Sequence, residues 1–262
     1  MKKIFSISFL VIVLLCVYAP ILLLVIYSFT DSNLIGKWDG FSLDLYARLF
    51  TNPELRTMII NTLVLAISVA TLSTILGTFG AIGLYYSKGK LGKGVKSASQ
   101  INIINAEIVI AVSLALVFSV FAFNKTYFSL LIGQMALCTP FVVTSVMPKL
   151  KQHDSSMYEA ALDLGATPGV ALFKVVIPEI LPGILSGFML ALTLSLDDYV
   201  ITAFTKPATF DTISTYAFNA VKNQAHSQMP ALRALSAIIF LLILVAVIVM
   251  NVRGKSPAKE KK

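Results

Sequence analysis

The sequence predicts an all-α, polytopic membrane protein that crosses the membrane with six helices and forms a single transmembrane domain over residues 1–262. Of its residues, 57% are hydrophobic and only 13% are charged, which is more apolar surface than a soluble core of this size buries. A hydrocarbon core of about 30 Å needs roughly 20 apolar residues per helical crossing. The apolar residues are gathered in runs of about that length, so a soluble globular enzyme fits the sequence poorly.

Each predicted crossing is an apolar segment bounded by polar residues. The segments are residues 5–29, 57–86, 101–123, 127–148, 180–204 and 234–252. The first is too long for the core of a cleavable signal peptide, so we interpret it as a retained anchor. A short helix at the outer surface is predicted after Ser42, and Asn52-Pro53 predicts the start of the second crossing. A smooth helix face that another helix can approach closely is predicted from Gly77, Gly80 and Gly83.

The placement of basic residues predicts the orientation in the membrane. Loop 87–100 carries four lysines and no acid, and 14 of the 21 Lys and Arg residues lie on the same side as the N-terminus. Because positive charge is retained on the cytoplasmic side, the chain is predicted to lie in the cell membrane with both termini cytoplasmic. The net charge of +8 follows from this topology and implies no nucleic-acid partner. His153 and His226 lack metal-ligand spacing and are interpreted as surface residues.

The longest cytoplasmic loop, residues 149–182, has helical signals of its own. Ser156 and Glu159 have the spacing of a capping box, and Gly165 is a natural C-terminal stop. Thr167-Pro168 can begin another helix. The loop therefore predicts a two-turn helix, a sharp turn and a second helix that leads into the fifth crossing. A helix this short must pack on its own bundle or on another protein to be stable.

This loop resembles the EAA loop of ABC importer permeases. The matching residues are Glu159, Ala160, Ala161, Gly165 and Pro178, with Val175 and Ile177 as conservative departures from the family's Ile and Leu. The resemblance implies a type I ABC importer permease (MetI-like) fold. It also implies that the short helix is a coupling helix docking on a cytoplasmic ATP-hydrolysing subunit, although Glu159 could instead serve only to cap its own helix.

ATP hydrolysis is predicted to belong to a separate chain. No GxxxxGK[ST] motif occurs in the sequence, so no P-loop can wrap the phosphates of ATP. We therefore expect no catalytic residues, no metal site and no cofactor on this chain, with ATP and Mg²⁺ bound by the partner ATPase.

Three acids interrupt the apolar crossings: Glu107 in the third, and Asp197 with Asp198 in the fifth. A charge at the bilayer centre costs about 2.5–3.5 kcal/mol, so each acid should face a partner or a wet cavity. Counted along their helices, Glu107 and Asp197 are expected at different depths of one path. Neighbouring helical residues point about 100° apart, so Asp197 and Asp198 are not expected to face one cavity together. No basic residue lies within the crossings to neutralise them.

A narrower resemblance extends over about residues 5–252. Ser195-Leu196-Asp197-Asp198, Glu107-Ile108-Val109, the run 138–143 and Trp38-x-Gly40-Phe41 are similar to permease subunits of spermidine/putrescine importers. The resemblance implies a substrate path with residues Trp38, Glu107, Ser195, Asp197 and Asp198, Glu107 standing where the family has Asp. It further implies a homologous second permease subunit, two ATP-binding subunits, an extracytoplasmic polyamine-binding protein and membrane lipid as partners.

The chemistry of a polyamine fits these residue types, and alternatives remain open. Ammonium groups separated by methylenes need carboxylates at intervals and aromatic faces for cation–π contact; Trp38 could supply such a face or be an interfacial anchor. The predicted mechanism is alternating access driven by ATPase closure. The chain could instead be an ABC permease for another solute or an ion-gradient-driven transporter using the acids as a proton relay. An intramembrane aspartyl protease is disfavoured, because adjacent aspartates cannot easily converge.

Overall fold

The fold is built from helices, as the apolar runs predict. The computed structural model describes residues 2–32, 37–87, 103–223 and 232–238, with positions 94, 97, 101, 240, 241, 244, 245 and 248. Its helices are α1 (Lys2–Tyr27), α2 (Asp44–Thr51), α3 (Pro53–Tyr86), α4 (Glu107–Val120), α5 (Tyr127–Gln152), α6 (Ser155–Asp163), α7 (Pro168–Asp197), α8 (Val200–Thr205) and α9 (Ile213–Lys222). None of the described residues forms a strand.

Long apolar helices confirm the membrane-spanning class. Four helices within the described residues are long and apolar enough to cross a bilayer, namely Ile7–Tyr27 of α1, and α3, α5 and α7. The apolar helix α4 has 14 residues, or about 21 Å at 1.5 Å per residue. Of the predicted sixth crossing, residues 234–238 are helical and most later positions lie outside the described residues. The lysines of loop 87–100 from Lys88 to Lys96, His226 and the C-terminal basic residues also lie outside them.

The chain divides into two compact units, residues 1–57 with 216–262 and residues 58–215. In the first unit, Phe29 at the end of α1 stacks on Phe41 with ring centroids 5.6 Å apart and lies 5.5 Å from Tyr46. Leu45 and Leu49 of α2 are buried. These contacts confirm the short helix predicted after Ser42.

In the second unit, α5 lies between α3 and α7, and close approaches at glycines set the packing. A Cβ on Gly77 of α3 would lie 2.7 Å from the Val142 side chain, and one on Gly187 of α7 would lie 3.0 Å from the same valine. Only part of the smooth face predicted on α3 lies against another helix, because a Cβ on Gly83 would meet nothing within 4 Å. The core around this contact includes Val142, Val146 and Leu150, all fully buried.

Two predicted crossings are interrupted, which corrects their predicted bounds. The third segment breaks at Ala106, whose ψ of 134° is extended, and α4 begins at Glu107. The fifth crossing is continuous with the loop helix predicted to start at Pro168, so one helix runs from Pro168 and ends at Asp197, before the predicted end at 204. Both breaks fall at acids in apolar runs, where the sequence offers no Pro or Gly to mark them.

A π-helical turn, Leu172–Val176, lies inside α7. The Ile177 N–H bonds to the Leu172 carbonyl, five residues back. Pro178, the next residue, has no N–H to donate, which explains why the regular ladder is interrupted here. The proline of the EAA-like motif therefore marks an irregular turn near the start of the fifth crossing.

Candidate functional site

The breaks at Ala106 and Asp198 bring three acids close together. We name Glu107, Asp197 and Asp198 the acidic cluster. Glu107 is the first residue of α4, and Asp197 is the last residue of α7. The Glu107 carboxyl lies within electrostatic range of both Asp198 and Asp197. Glu107 begins a helix, whereas the predicted third crossing placed it inside one; that Glu107 and Asp197 occupy different depths of a path stays a prediction.

Asp198 is buried and saturated with donors. It is 4% exposed and lies in the break between α7 and α8, with ψ of 116°. Its carboxylate accepts from the backbone N–H groups of Ile201 at 3.1 Å and Thr202 at 2.9 Å, and from Thr202 Oγ1 at 2.5 Å. Asp198 thus satisfies N–H groups that the first turn of α8 leaves free.

Gln134 of α5 completes this network and was not predicted from the sequence. Its Nε2 donates to Asp198 at 3.0 Å and to Thr202 Oγ1 at 2.8 Å, and its Oε1 accepts from the Ser195 hydroxyl. Gln134 is 1% exposed and Ser195 is 4% exposed. A polar amide within an apolar crossing is costly unless it is hydrogen-bonded. The presence of Gln134 in an apolar run is therefore the sequence feature that could have indicated this site. We name Gln134, Ser195, Asp198 and Thr202 the polar network.

The other two acids are more open than Asp198. Asp197 is exposed and Glu107 is half-buried. None of the ion pairs among the described residues joins a basic side chain to the acidic cluster. Asp197 also stands at the C-terminus of α7, where the helix dipole is negative. The break between α7 and α8 therefore presents negative charge that a cation could neutralise.

Trp38 belongs to the first unit, and its surroundings are aromatic. Its ring lies 6.4 Å from that of Tyr27 in an edge-on arrangement, and the residue is 50% exposed. Gly40, two residues after Trp38, has φ of 108°, a value that favours glycine and allows the chain to turn back toward the end of α1.

The EAA-like segment forms the predicted short helix, with a different cap. The N-cap of α6 is Asp154, whose side chain accepts from the Ser156 N–H at 3.0 Å. Hydrogen bonds from the backbone and the side chain of Ser156 lower the pKa of the Asp154 carboxyl. The predicted capping box of Ser156 and Glu159 is wrong, because Asp154 caps first and Ser156 lies inside the helix. Glu159 is exposed and takes no part in the cap.

The end of α6 is as predicted. Gly165 has φ of +86°, its N–H bonds to Leu162, and the Ala166 N–H bonds to Ala161 at 3.0 Å, which is a Schellman ending. Thr167 then caps the first turn of α7 and Pro168 is its first residue. The sequence predicted each of these steps.

The surface of α6 is open and partly apolar. No residue of α6 is buried, although Ala161 is half-buried and Ala160 is exposed. Large apolar side chains on α6 and just after it are exposed, with Met157 at 55% and Leu164 at 89%. Pro178 is exposed as well. These exposed apolar residues make α6 a candidate interaction surface.

His153 is not the surface residue that the sequence predicted. It is the C-cap of α5 and only 6% exposed. Its Nδ1 lies 2.5 Å from Glu179 Oε2 of α7. The prediction failed because the partner lies 26 residues along the chain, beyond the reach of local pattern.

A helical bundle whose helices break at polar groups, and which has an open helix on a loop, fits a membrane transport component, and the family and relatives given next are transport components and not enzymes. The chain belongs to the family described as binding-protein-dependent transport system inner membrane component, whose model matches residues 108–254. This family confirms that the chain is membrane-embedded.

Relatives and solved structures agree with the family. The chain is 34% identical to the spermidine/putrescine transport system permease protein PotC of Haemophilus influenzae, over 91% of this chain and 93% of the relative. It is 32% identical to the putrescine transport system permease protein PotI of Escherichia coli, over 83% and 80%. In fold it is similar to a chain of a bacterial ABC transporter involved in alginate import, with a TM-score of 0.72, 16% identity and coverage of 98% and 96%. The predicted family and ABC permease fold are confirmed.

Proposed function

We propose that this chain is a permease subunit of an ATP-driven importer that moves spermidine and putrescine through the cell membrane by alternating access. Its partners in the proposal are a homologous second permease, two ATP-binding subunits that carry ATP and Mg²⁺, and an extracytoplasmic polyamine-binding protein. Both termini are cytoplasmic. The relatives are named as permeases of spermidine/putrescine and putrescine transport systems, and these names support the solute class.

The observation that carries the proposal is the exposed carboxylate of Asp197 beside Glu107, where α4 begins and α7 ends. Non-helical backbone at membrane depth is tolerated where it is buried in protein or lines a water-filled cavity. Uncompensated carboxylates at such a break attract ammonium groups. Asp197 and Glu107 meet the solute in this proposal, while Asp198 and Ser195 shape the path from within the polar network. Trp38 offers an aromatic face to the cation near the outer mouth.

The solute preference rests on these acids and not on the fold. The alginate transporter shares the fold and imports an acidic polysaccharide. One permease fold therefore serves solutes of opposite charge. The negative charge of Asp197 and Glu107 favours a cationic solute here. Within the part of the chain that the structure describes, no set of donors saturates Asp197, which favours weak binding that allows release.

ATP hydrolysis reaches the path through α6 and α7. In the proposal, α6 docks on the ATP-binding subunit through Glu159 and the exposed Met157 and Leu164. Closure of the ATPases displaces α6, and α7 follows because it starts directly after the turn at Gly165. Its Ile177–Asp197 part is 21 residues long, about 30 Å, so it carries motion from the cytoplasmic side to Asp197.

Transport by the complete reconstituted complex tests the proposal. Proteoliposomes receive ATP inside and the binding protein outside, and uptake of radiolabelled spermidine, putrescine, neutral amino acids and sugars is measured in parallel. We expect ATP-dependent uptake of the two polyamines only. A complex without ATP-binding subunits is the control and should take up nothing.

Two results would contradict the proposal. Uptake confined to an amino acid or a sugar would mean that the chain is an ABC permease for a different solute. Polyamine uptake that persists without ATP and collapses with a protonophore would show a proton relay through the acids instead.

A further inference from the structure

A partly buried polar contact joins the start of the coupling segment to the helix that carries Asp197. His153 lies between the end of α5 and the N-cap of α6, and its side chain is fully buried. Its Nδ1 lies 2.5 Å from Oε2 of Glu179, which is in the first turn of the Ile177–Asp197 part of α7. The EAA-like motif does not include His153 or Glu179, and neither residue belongs to the acidic cluster.

The surroundings of this contact fix the two elements together. Leu150, Val176 and Ile180, from the last turn of α5 and the start of α7, are each fully buried in the same core cluster. Hydrogen bonds to a charged partner are shorter and stronger than neutral ones. His153 Nε2 has no hydrogen-bond partner among the described residues, so Nδ1 carries the polar contact of this buried ring.

Within α6 itself the attachments are shallow. None of its residues is buried, although Tyr158 packs against the core cluster and its ring lies 5.8 Å from that of Tyr86 of α3, measured between centroids. The helix also contacts the first turns of α7, Pro168–Val176, and the His153–Glu179 contact reaches α7 beyond those turns. From Glu179 to Asp197 the helix continues for roughly 27 Å at 1.5 Å per residue.

We propose that His153 is a positioning residue whose contact with Glu179 transmits displacement of α6 to α7 and so couples ATP hydrolysis to movement of the path. The inference rests on the proposed function, in which α6 docks on the ATPase. It adds a second connection between the docking segment and α7, beside the chain turn at Gly165. His153 touches neither solute nor nucleotide.

The test compares uptake with ATP hydrolysis in the complete complex. His153→Ala, Glu179→Ala and the double variant are reconstituted in proteoliposomes, with Ser155→Ala as the matched control because Ser155 is a neighbouring, exposed polar residue. Assembled complex is quantified first, and uptake of radiolabelled spermidine and ATP hydrolysis are then measured per assembled complex. His153→Gln, which keeps a side-chain donor, is the conservative variant.

We expect spermidine taken up per ATP hydrolysed to fall about fivefold or more in each alanine variant. The double variant should be no worse than either single one, because the residues act as one unit. Ser155→Ala should match wild type, and His153→Gln should recover part of the ratio. A merely structural role lowers the amount of complex and leaves the ratio unchanged, and that result would overturn the inference.

Additive losses in the double variant would also overturn it. The wild-type complex separates this inference from the proposed function. If wild type shows no ATP-dependent spermidine uptake, the proposed function fails. If wild type transports normally and His153→Ala keeps the same uptake per ATP, only the inference about the His153–Glu179 contact fails.

Discussion

Two neighbouring aspartates have opposite environments, and this difference assigns them different roles. Asp198 is buried, with its carboxylate accepting from Gln134, Thr202 and two backbone N–H groups. Asp197 is exposed at the end of α7. A carboxylate already saturated by donors has little capacity to bind a passing ammonium group, whereas an open one retains it.

Neutralising Asp197 should impair transport without impairing folding. Substitution of an exposed residue changes stability by about 0.5 kcal/mol or less, so Asp197→Asn should keep the wild-type thermal unfolding midpoint. Spermidine uptake should fall about tenfold, which corresponds to about 1.4 kcal/mol of lost attraction. Asp197→Glu keeps the charge and is the control. Equal uptake by the Asn variant and wild type would remove Asp197 from the path.

Neutralising Asp198 should instead destabilise the protein. Hydrogen bonds to a charged group contribute about 1.5–3 kcal/mol, and an amide cannot accept from all the donors around this site. Asp198→Asn should therefore lower the free energy of unfolding by about that amount, measured as a lower thermal midpoint in detergent beside Asp197→Asn. An unchanged midpoint with reduced uptake would show that Asp198 contacts the solute.

At the scale of elements, close packing of α3 on α5 depends on one glycine of the predicted smooth face. A Cβ on Gly77 would lie 2.7 Å from two side-chain atoms of Val142, whereas one on Gly83 would meet nothing within 4 Å. Both positions are in the same helix, so substitutions there differ mainly in steric contact.

Gly77→Ala should therefore cost about 1–3 kcal/mol of stability through overpacking. Gly83→Ala, the matched control, should be neutral or slightly stabilising, because alanine favours the helix. The thermal midpoints of the two purified variants give the comparison. Equal midpoints would mean that α3 and α5 do not pack through Gly77.

The turn after α6 also depends on a glycine, for a conformational reason. Gly165 has φ of +86°, which alanine adopts at a cost of about 1 kcal/mol and asparagine more readily. Gly165→Ala should raise the dissociation constant of the permease for its ATP-binding subunit several-fold, at about tenfold per 1.4 kcal/mol. Gly165→Asn should stay nearer wild type. Identical affinities for all three proteins would exclude a role for this turn in docking.

Across the whole molecule, local sequence patterns predicted the helices and turns, but they did not predict contacts between residues far apart in the chain. The apolar runs, the turn at Gly165 and the start at Pro168 are local signals, and the structure has each of them. The breaks at Ala106 and Asp198 were missed because neither carries Pro or Gly. Gln134 and Glu179 were missed because their partners lie 64 and 26 residues away, where no periodicity indicates a contact. The sequence predicted Ser156 as the cap where the structure has Asp154, because both residue types are good caps and the local pattern does not rank them.

The central claim is that α6 offers its surface to an ATP-hydrolysing partner. A photo-crosslinking amino acid at position 164, where Leu164 is 89% exposed, tests this directly in the assembled complex. The control is position 50, where Phe50 of α2 is 74% exposed in the segment that the sequence predicts on the outer side. We predict a crosslink to the ATP-binding subunit from position 164 and none from position 50. A crosslink from position 164 only to this chain itself would contradict the account.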